Sequence, residues 1–385
     1  MSYAGALWLA VQEDLYTGIC NGTRENGDIN RPKIIREESK GCLECFDDYF
    51  LSQCFHLSRP CLTFLLDFIK TRLKKNVFNP VSDSTSTESI ILATLFFYAH
   101  GFLPSKITAK LGLNHTFAGE AVNTTSKILS ELSSSFITFP ASYNDRMGVA
   151  QGFKNISGIP NVVGVLGCFH VKVTPPPSEL SLFLNTLGYP SVTVQMVSDV
   201  DGNLLSVEQC YPGGTREQYV WERSTICQEF VSFRHGQTWV IGGRGLPPGR
   251  HVLTPVERSQ LKTSAARRFN ITHSRVMTYN QHVFGCLKAR FQCLNDLGTV
   301  QADALESVAC IIKACCVLHN ISKKFSVPLP REPVLEPVHP TQDVKGKEGE
   351  KSFYYMEETR EDMIETCFGQ IRDEEEKEAN TEGWL

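Results

Sequence analysis

The chain has 385 residues and a mass of 43.1 kDa, with 42% hydrophobic residues, 21% charged residues and a formal net charge of −4. That length suits two or three domains with a sizeable core, and the composition is that of an ordinary globular protein. It excludes a uniformly basic nucleic-acid binder. The charge is uneven, because Lys351 to Leu385 holds eleven acidic and four basic residues, a net of −7, which leaves about +3 for Met1 to Glu350.

Met1 to about Gly41 is mixed and polar and reads as a poorly ordered segment. Its opening, MSYAGALWLAVQEDLY, has no basic leader, and Gln12, Glu13 and Asp14 soon interrupt the apolar stretch, so no secretory signal is expected. A helical domain is expected over 42–150. Phe64, Leu65, Phe68 and Ile69 recur at helical spacing, as do Ile90, Ile91, Thr94, Leu95 and Tyr98. The run Ile90 to Phe102 is the longest apolar stretch, but Thr94 and His100 break it and it falls short of the ~20 residues of a membrane span, so no membrane is expected. Cys42-Leu-Glu-Cys45 with Cys54, His56 and Cys61 raises a zinc site. No second CxxC completes a ligand set, and Cys54, Leu57, Cys61, Leu62 and Leu65 read instead as buried helical stripes. Pro104 to Leu111, a turn at Gly112 and a helix from about Thr116 have the pattern of a helix-turn-helix. That second helix has no Arg or Lys before Lys127, which is poor for phosphate contact.

The character changes after about residue 158. Asn161 to Val173 reads as a strand apolar on both faces, hence central. Ser191 to Ser198 alternates, Asp199-Val-Asp-Gly202 supplies a turn, and Leu204 to Cys210 returns as a hairpin partner. A helix from Thr215 towards Phe230 follows, then a short strand at Trp239 to Gly243 and a Gly- and Pro-rich loop from Gly245 to Pro255. Helices over His273 to Leu294 and Ala302 to Ser322 close the domain, at about residue 323. This is an α/β order with a mixed sheet, that of the ribonuclease H-like fold. Residues 324–385 read as a linker and acidic tail, mostly disordered, with room for one short helix but no core.

Eight motifs in one order carry a resemblance: Phe136 to Pro140 (FITFP), Gly158 to Gly164, Gln195 to Asp199, Tyr211-Pro-Gly213, Leu253-Thr-Pro255, Phe269 to Ser274, Leu287 to Phe291 and Ala314 to Asn320. From about Phe46 to Ser322 the chain resembles the harbinger transposase-derived nucleases, the domesticated relatives of PIF/Harbinger transposases with a DDE endonuclease domain. The resemblance implies a ribonuclease H-like DDE domain behind an all-α, helix-turn-helix-like domain. It also implies DNA cutting by metal ions held on carboxylates, since Mg²⁺ and Mn²⁺ prefer oxygen ligands and two ions need several negative groups.

The family's acidic positions, carried over one at a time, are nearly empty of charge. Gly167 stands where the first Asp is expected, Glu217 follows Pro212-Gly213, Gly243 replaces the Asp of a Gly-Asp pair, and Gln281 replaces the Glu that precedes Phe284 by three. No catalytic set and no metal cofactor are therefore expected. Glu217 and Asp199 are the ligands to consider if a residual Mg²⁺ or Mn²⁺ site exists, although Asp199 and Asp201 suit a hairpin turn and Glu208 suits a strand surface. His170 and His319 read as packed histidines. Lys262, Arg267, Arg268, Arg275, Lys288 and Arg290 form a basic stretch that, by resemblance, borders the site and could meet phosphates.

The expected function is that of a domesticated transposase-derived protein without nuclease activity, acting through protein or DNA binding. The resemblance implies a nuclear location, with the cytoplasm as a second compartment, and a Myb-like DNA-binding protein as partner. Two alternatives stay open: a metal-dependent endonuclease with rearranged carboxylates, and a partner-docking scaffold that does not touch nucleic acid.

Overall fold

The computed structural model describes residue 43 and residues 46–73, 87–103, 115–246, 249, 251–335 and 351–369. In chain order the main elements are α1 (Asp48–Phe55), α2 (Arg59–Leu73), α3 (Thr87–His100), α4 (His115–Ser130), α5 (Tyr143–Ser157), β1 (Val162–Thr174), β2 (Ser191–Ser198) and β3 (Leu204–Pro212). They continue with α6 (Glu217–Glu222), α7 (Thr225–Val231), β4 (Trp239–Ile241), β5 (Val252–Leu253), α8 (Ser264–Arg290), α9 (Leu305–Lys324) and α10 (Lys351–Phe368). The chain divides into two compact units, one of Met1–Phe136 with Cys286–Pro333, the other of Ile137–Gly285 with Val334–Leu385.

The first unit is helical. Leu51, Leu62, Leu65, Ile69, Ile91, Leu95, Leu129, Ile312 and Leu318 are buried in it, and α9 packs chiefly on α4. Tyr98 and Ser126 share a hydrogen bond of 2.6 Å inside the bundle, which satisfies two buried hydroxyls. By length and composition the helix Ala302–Lys324 could cross a membrane. Its apolar residues are those of a core helix, with Ile312, Cys315, Cys316, Val317, Leu318 and Ile321 all buried. The unit also includes Cys286–Pro333, of which the sequence reading gives residues 286–323 to the α/β domain and 324–333 to the linker. The first helix of the expected helix-turn-helix, the residues Cys42 and Cys45, and the segment 1–41 lie outside the described residues.

The second unit is built on a mixed sheet in the order β3-β2-β1-β4-β5. β1, β2 and β3 form an antiparallel meander, while β4 runs parallel to β1 and β5 parallel to β4. β1 is central, as its two-sided apolar sequence requires. Val162 and Val165 join Phe153 of α5 and Phe269 and Val276 of α8 on one face. Val163 and Leu166 join Trp221, Ile226 and Phe230 of α6 and α7 on the other. This is the ribonuclease H-like, α/β arrangement the sequence predicts.

Local chemistry sets the element ends. A capping box opens α5: the Ser142 hydroxyl accepts from the Asp145 N–H at 3.1 Å, and the Asp145 carboxylate accepts from the Ser142 N–H at 3.3 Å. Gly158, at φ +72°, closes it. The single helix expected from Thr215 to Phe230 is broken into α6 and α7, because Ser224 caps a fresh start by accepting from the Cys227 N–H at 3.1 Å. Within the loop expected over Gly245 to Pro255, Val252 and Leu253 pair with β4 as β5.

The tail departs most from expectation. It holds α10, and Met363, Ile364 and Phe368 are buried in the same cluster as Ala265, Ala266 and Phe269 of α8. Composition favoured a solvated tail, but four apolar residues at 363, 364, 367 and 368 fall on one helical stripe, and that stripe is enough to dock it.

Candidate functional site at the strand ends of the second unit

In β1, Val165 turns towards α8 and Leu166 towards α6. By strand alternation Gly167 again turns towards α8. There the Asn280 side chain meets it: a Cβ on Gly167 would stand 2.3 Å from Asn280 Nδ2 and 3.5 Å from Asn280 Cγ and Phe284 Cε2. Asn280 is 2% exposed. Its Oδ1 accepts from the Ser198 hydroxyl at 3.1 Å, while its Nδ2 is buried without a hydrogen-bond partner. The amide thus fills the space in which the stem of an aspartate would begin. A side chain cannot be restored at 167 unless Asn280 moves.

The other glycine position is open. A Cβ on Gly243 would have the Glu217 Oε2 as its nearest neighbour, at 4.0 Å. His273 of α8 anchors the backbone beside it, with its Nε2 3.0 Å from the Gly242 carbonyl and 3.1 Å from the Leu253 carbonyl. The geometry suits a neutral imidazole whose Nε2–H donates to the ends of β4 and β5 together. Burial pushes the His273 pKa down to about 4, and the cations Arg244 and Arg360 push the same way.

Glu217 is the first residue of α6, and burial raises its carboxyl to about 7. With no cation beside it, such a group is partly protonated at neutral pH. The Cys168 thiol is pushed well above its usual range by burial first and by the Glu217 carboxylate second, which places the two groups together. Across the sheet Cys168 pairs with Gln195, whose side-chain amide is buried with neither end partnered.

The structure brings Gly167 to Asn280 and Glu217 to Gly243. It does not place Gln281 on the sheet-facing stripe of α8. Val276, Asn280, Val283, Phe284 and Leu287 are buried, whereas Gln281 is half-buried and His282 exposed. Sequence reasoning missed Asn280, although a spacing of four on each side, to Val276 and Phe284, marks it as inward-facing.

The remaining residues resolve into structural parts. Asp199 serves the hairpin turn: its two carboxylate oxygens accept from the Asn203 backbone and side-chain N–H groups, each at 2.8 Å. Glu208, expected to be a plain surface residue, caps α7 by accepting from the Thr225 and Ile226 N–H groups at 3.0 and 3.2 Å. His170 is buried, with Nδ1 3.0 Å from the Ser191 hydroxyl, and His319 is buried on α9.

The basic stretch divides. Lys262, Arg267 and Arg275 are exposed, and Arg275 Nη2 also donates to the Ile156 carbonyl at 3.3 Å. Lys288 is half-buried. Arg268 donates to the Phe368 carbonyl. Arg290 is 3% exposed and donates to the carbonyls of His56 and Val327 at 2.6 and 2.8 Å. Arg290 therefore has no face to offer a phosphate, a correction to the sequence reading. The cause is its place at the buried C-terminal end of α8, eight residues beyond His282, the last exposed position.

A nuclease of this architecture clamps two divalent ions with several carboxylates. The strand ends here offer one, in Glu217, and a buried amide where another would stand. Among the described residues no group of three His, Cys, Asp or Glu comes together as a metal cluster. These residues do not fit a two-metal centre, and no reaction step is derived through one.

The sheet order, with its acid positions on β1, after β4 and on the long helix, defines a DDE-type nuclease scaffold. The model of the DDE superfamily endonuclease family matches residues 166–320. The chain is 28% identical over 326 residues to the Bos taurus protein named "Putative nuclease HARBI1", covering 85% of this chain and 92% of that one. Its Homo sapiens counterpart is 26% identical over the same shares. "Protein ALP1-like" of Arabidopsis thaliana is 23% identical over 285 residues, 69% of each chain. No solved structure matches. The chain carries a DDE superfamily endonuclease domain over residues 166–320 and is similar along most of its length to these harbinger transposase-derived nucleases.

Proposed function

We propose that this protein is a harbinger-derived nuclease scaffold that no longer cuts DNA and acts by binding, to DNA, to protein or to both, in the nucleus. The observation that supports this best is the Gly167–Asn280 contact, since the space for the first carboxylate is held by a neutral amide. The loss is doubled at Gly243, which adds no ligand beside Glu217. A single carboxylate, Glu217, cannot offset the repulsion of two divalent ions.

The binding half of the reading rests on α8. Its 27 residues include no Asp or Glu, and Arg267 and Arg275 lie exposed on it, with exposed Lys262 just before it. Uncompensated cations on one helix attract a phosphate backbone in a salt-dependent way. By family resemblance a Myb-like DNA-binding protein is the natural partner. The test is a supercoiled-plasmid cleavage assay in Mg²⁺ and in Mn²⁺, run beside binding of a short duplex over a salt series. The reading expects intact plasmid and binding that weakens steeply with salt. Metal-dependent nicking that disappears in Glu217→Gln would establish the alternative, a rearranged endonuclease.

A further inference from the structure

The tail that composition assigns to solvent lies against the helix that carries the exposed cations. Met363, Ile364 and Phe368 of α10 share a buried cluster with Ala265, Ala266, Phe269 and Val276 of α8 and Phe153 of α5. The Phe368 ring packs edge-on against Phe269 at 5.9 Å. The Arg268 guanidinium donates to the Phe368 carbonyl at the C-terminal end of α10, where the helix dipole is negative. Arg360, at the other end of this docked stretch, is buried and near enough to His273 to lower its pKa. One helix thus spans from the middle of α8, beside the Gly242 anchor, to its basic N-terminal half.

The charges of the two helices are complementary. α8 has no acidic residue. On α10, Glu361, Asp362 and Glu365 are exposed beside the buried Met363 and Ile364, and Lys351 to Leu385 carries a net of −7. The docked stretch is short. It buries three large apolar side chains, a contact that a competing polyanion can overcome when it also gains the α8 cations.

We propose that α10 is a displaceable cover on α8, which keeps a nucleic-acid phosphate backbone from Arg268, beside the exposed Arg267, until it is released. This rests on the DNA-binding half of the proposed function. In the covered state Arg268 is committed to Phe368, and the exposed carboxylates of Glu361, Asp362 and Glu365 on the docked helix repel phosphate. Release frees Arg268 and removes the repulsion in one step. If about one molecule in ten is uncovered, the apparent affinity for DNA is about tenfold weaker than that of the bare surface.

The experiment compares three proteins by fluorescence anisotropy on a labelled random-sequence duplex, from low to high salt. They are the full chain, a chain ending at Glu350, and the full-length variant Glu361→Gln/Asp362→Asn/Glu365→Gln. The last keeps the apolar contacts and so tests the idea even if the shortened chain does not fold. The cover predicts about tenfold tighter binding by the shortened chain and about threefold tighter binding by the charge variant. Both gaps should close as salt rises, because the repulsion is screened. Equal affinities in all folded proteins, with binding still salt-dependent, would overturn the cover and leave the DNA-binding reading standing. No binding by any of them would overturn both. Hydrogen exchange at residues 360–368 gives an independent readout: exchange should accelerate when duplex is added to the full chain, and unchanged exchange despite binding would contradict displacement.

Discussion

Within the second unit, the segment where β1 pairs with β4 and the positions just after it follow different rules. Val162, Val163, Val165, Leu166, Val240 and Ile241 are all fully buried and serve two cores at once. One residue later on β1 stands Gly167, and two residues past the end of β4 stands Gly243, with no side chain to offer a ligand. The difference teaches that packing and chemistry are separable in this scaffold. Clustered carboxylates repel one another and gain little for the fold unless a cation joins them. Glycines at 167 and 243 are therefore compatible with intact strands.

Several measurements would break or sharpen that contrast, and the largest effect belongs to the strand bodies. Phe269→Ala removes a fully buried ring that packs under β1 and against Phe368, and should cost about 3–5 kcal/mol in chemical denaturation. A loss below about 1 kcal/mol would show that this cluster does not support the sheet. Gly167→Asp should cost roughly 1–3 kcal/mol, since its Cβ would overlap Asn280 Nδ2. Gly167→Asp/Asn280→Ala should recover much of that cost, so a double variant as unstable as the single one would remove Asn280 as the obstacle.

The pH responses are smaller and have opposite signs. His56 and His273 have folded pKa values near 4, against about 6.5 in the unfolded chain. The unfolded state binds more protons between those values, so stability should fall as pH drops from about 6.5 towards 4. Glu217 works the other way. Its folded pKa of about 7 lies above the unfolded value of 4.5, so its stabilising contribution is complete below pH 4.5 and lost as pH rises through 7. Glu217→Gln should therefore raise the melting temperature by a few degrees at pH 8 and leave it unchanged at pH 4. A lower melting temperature at pH 8 would mean that the carboxylate has a partner that holds it charged. The smallest stability effect is expected of Lys262→Ala/Arg267→Ala/Arg275→Ala, within ~0.5 kcal/mol for exposed residues. The same triple should weaken duplex binding and flatten its salt dependence, whereas Arg290→Ala should act on stability alone.

Much of the fold was legible in the sequence, because β1 is apolar on both faces and Asp199-Val-Asp-Gly202 announces the β2–β3 hairpin. Motif order also pointed to Gly167, Glu217 and Gly243, of which the structure brings the first to Asn280 and the other two to each other. Asn280 was not legible, because the motif drew attention to Gln281 while the burial stripe Val276, Asn280, Phe284 runs one residue earlier. The return of residues 286–333 to the helical unit was invisible to a reading along the chain, since contiguity says nothing about which core a helix joins. The docking of α10 was hidden by its charge, which dominates composition while four apolar residues decide the packing.

The central claim, that the scaffold has kept its fold and given up its metal chemistry, is tested most directly by titrating Mn²⁺ into the full chain by calorimetry, with Glu217→Gln as control. The account predicts no saturable heat in either protein at ion concentrations that support two-metal nucleases. Saturable Mn²⁺ binding that is lost in Glu217→Gln would contradict it and show that the strand ends still assemble a metal site.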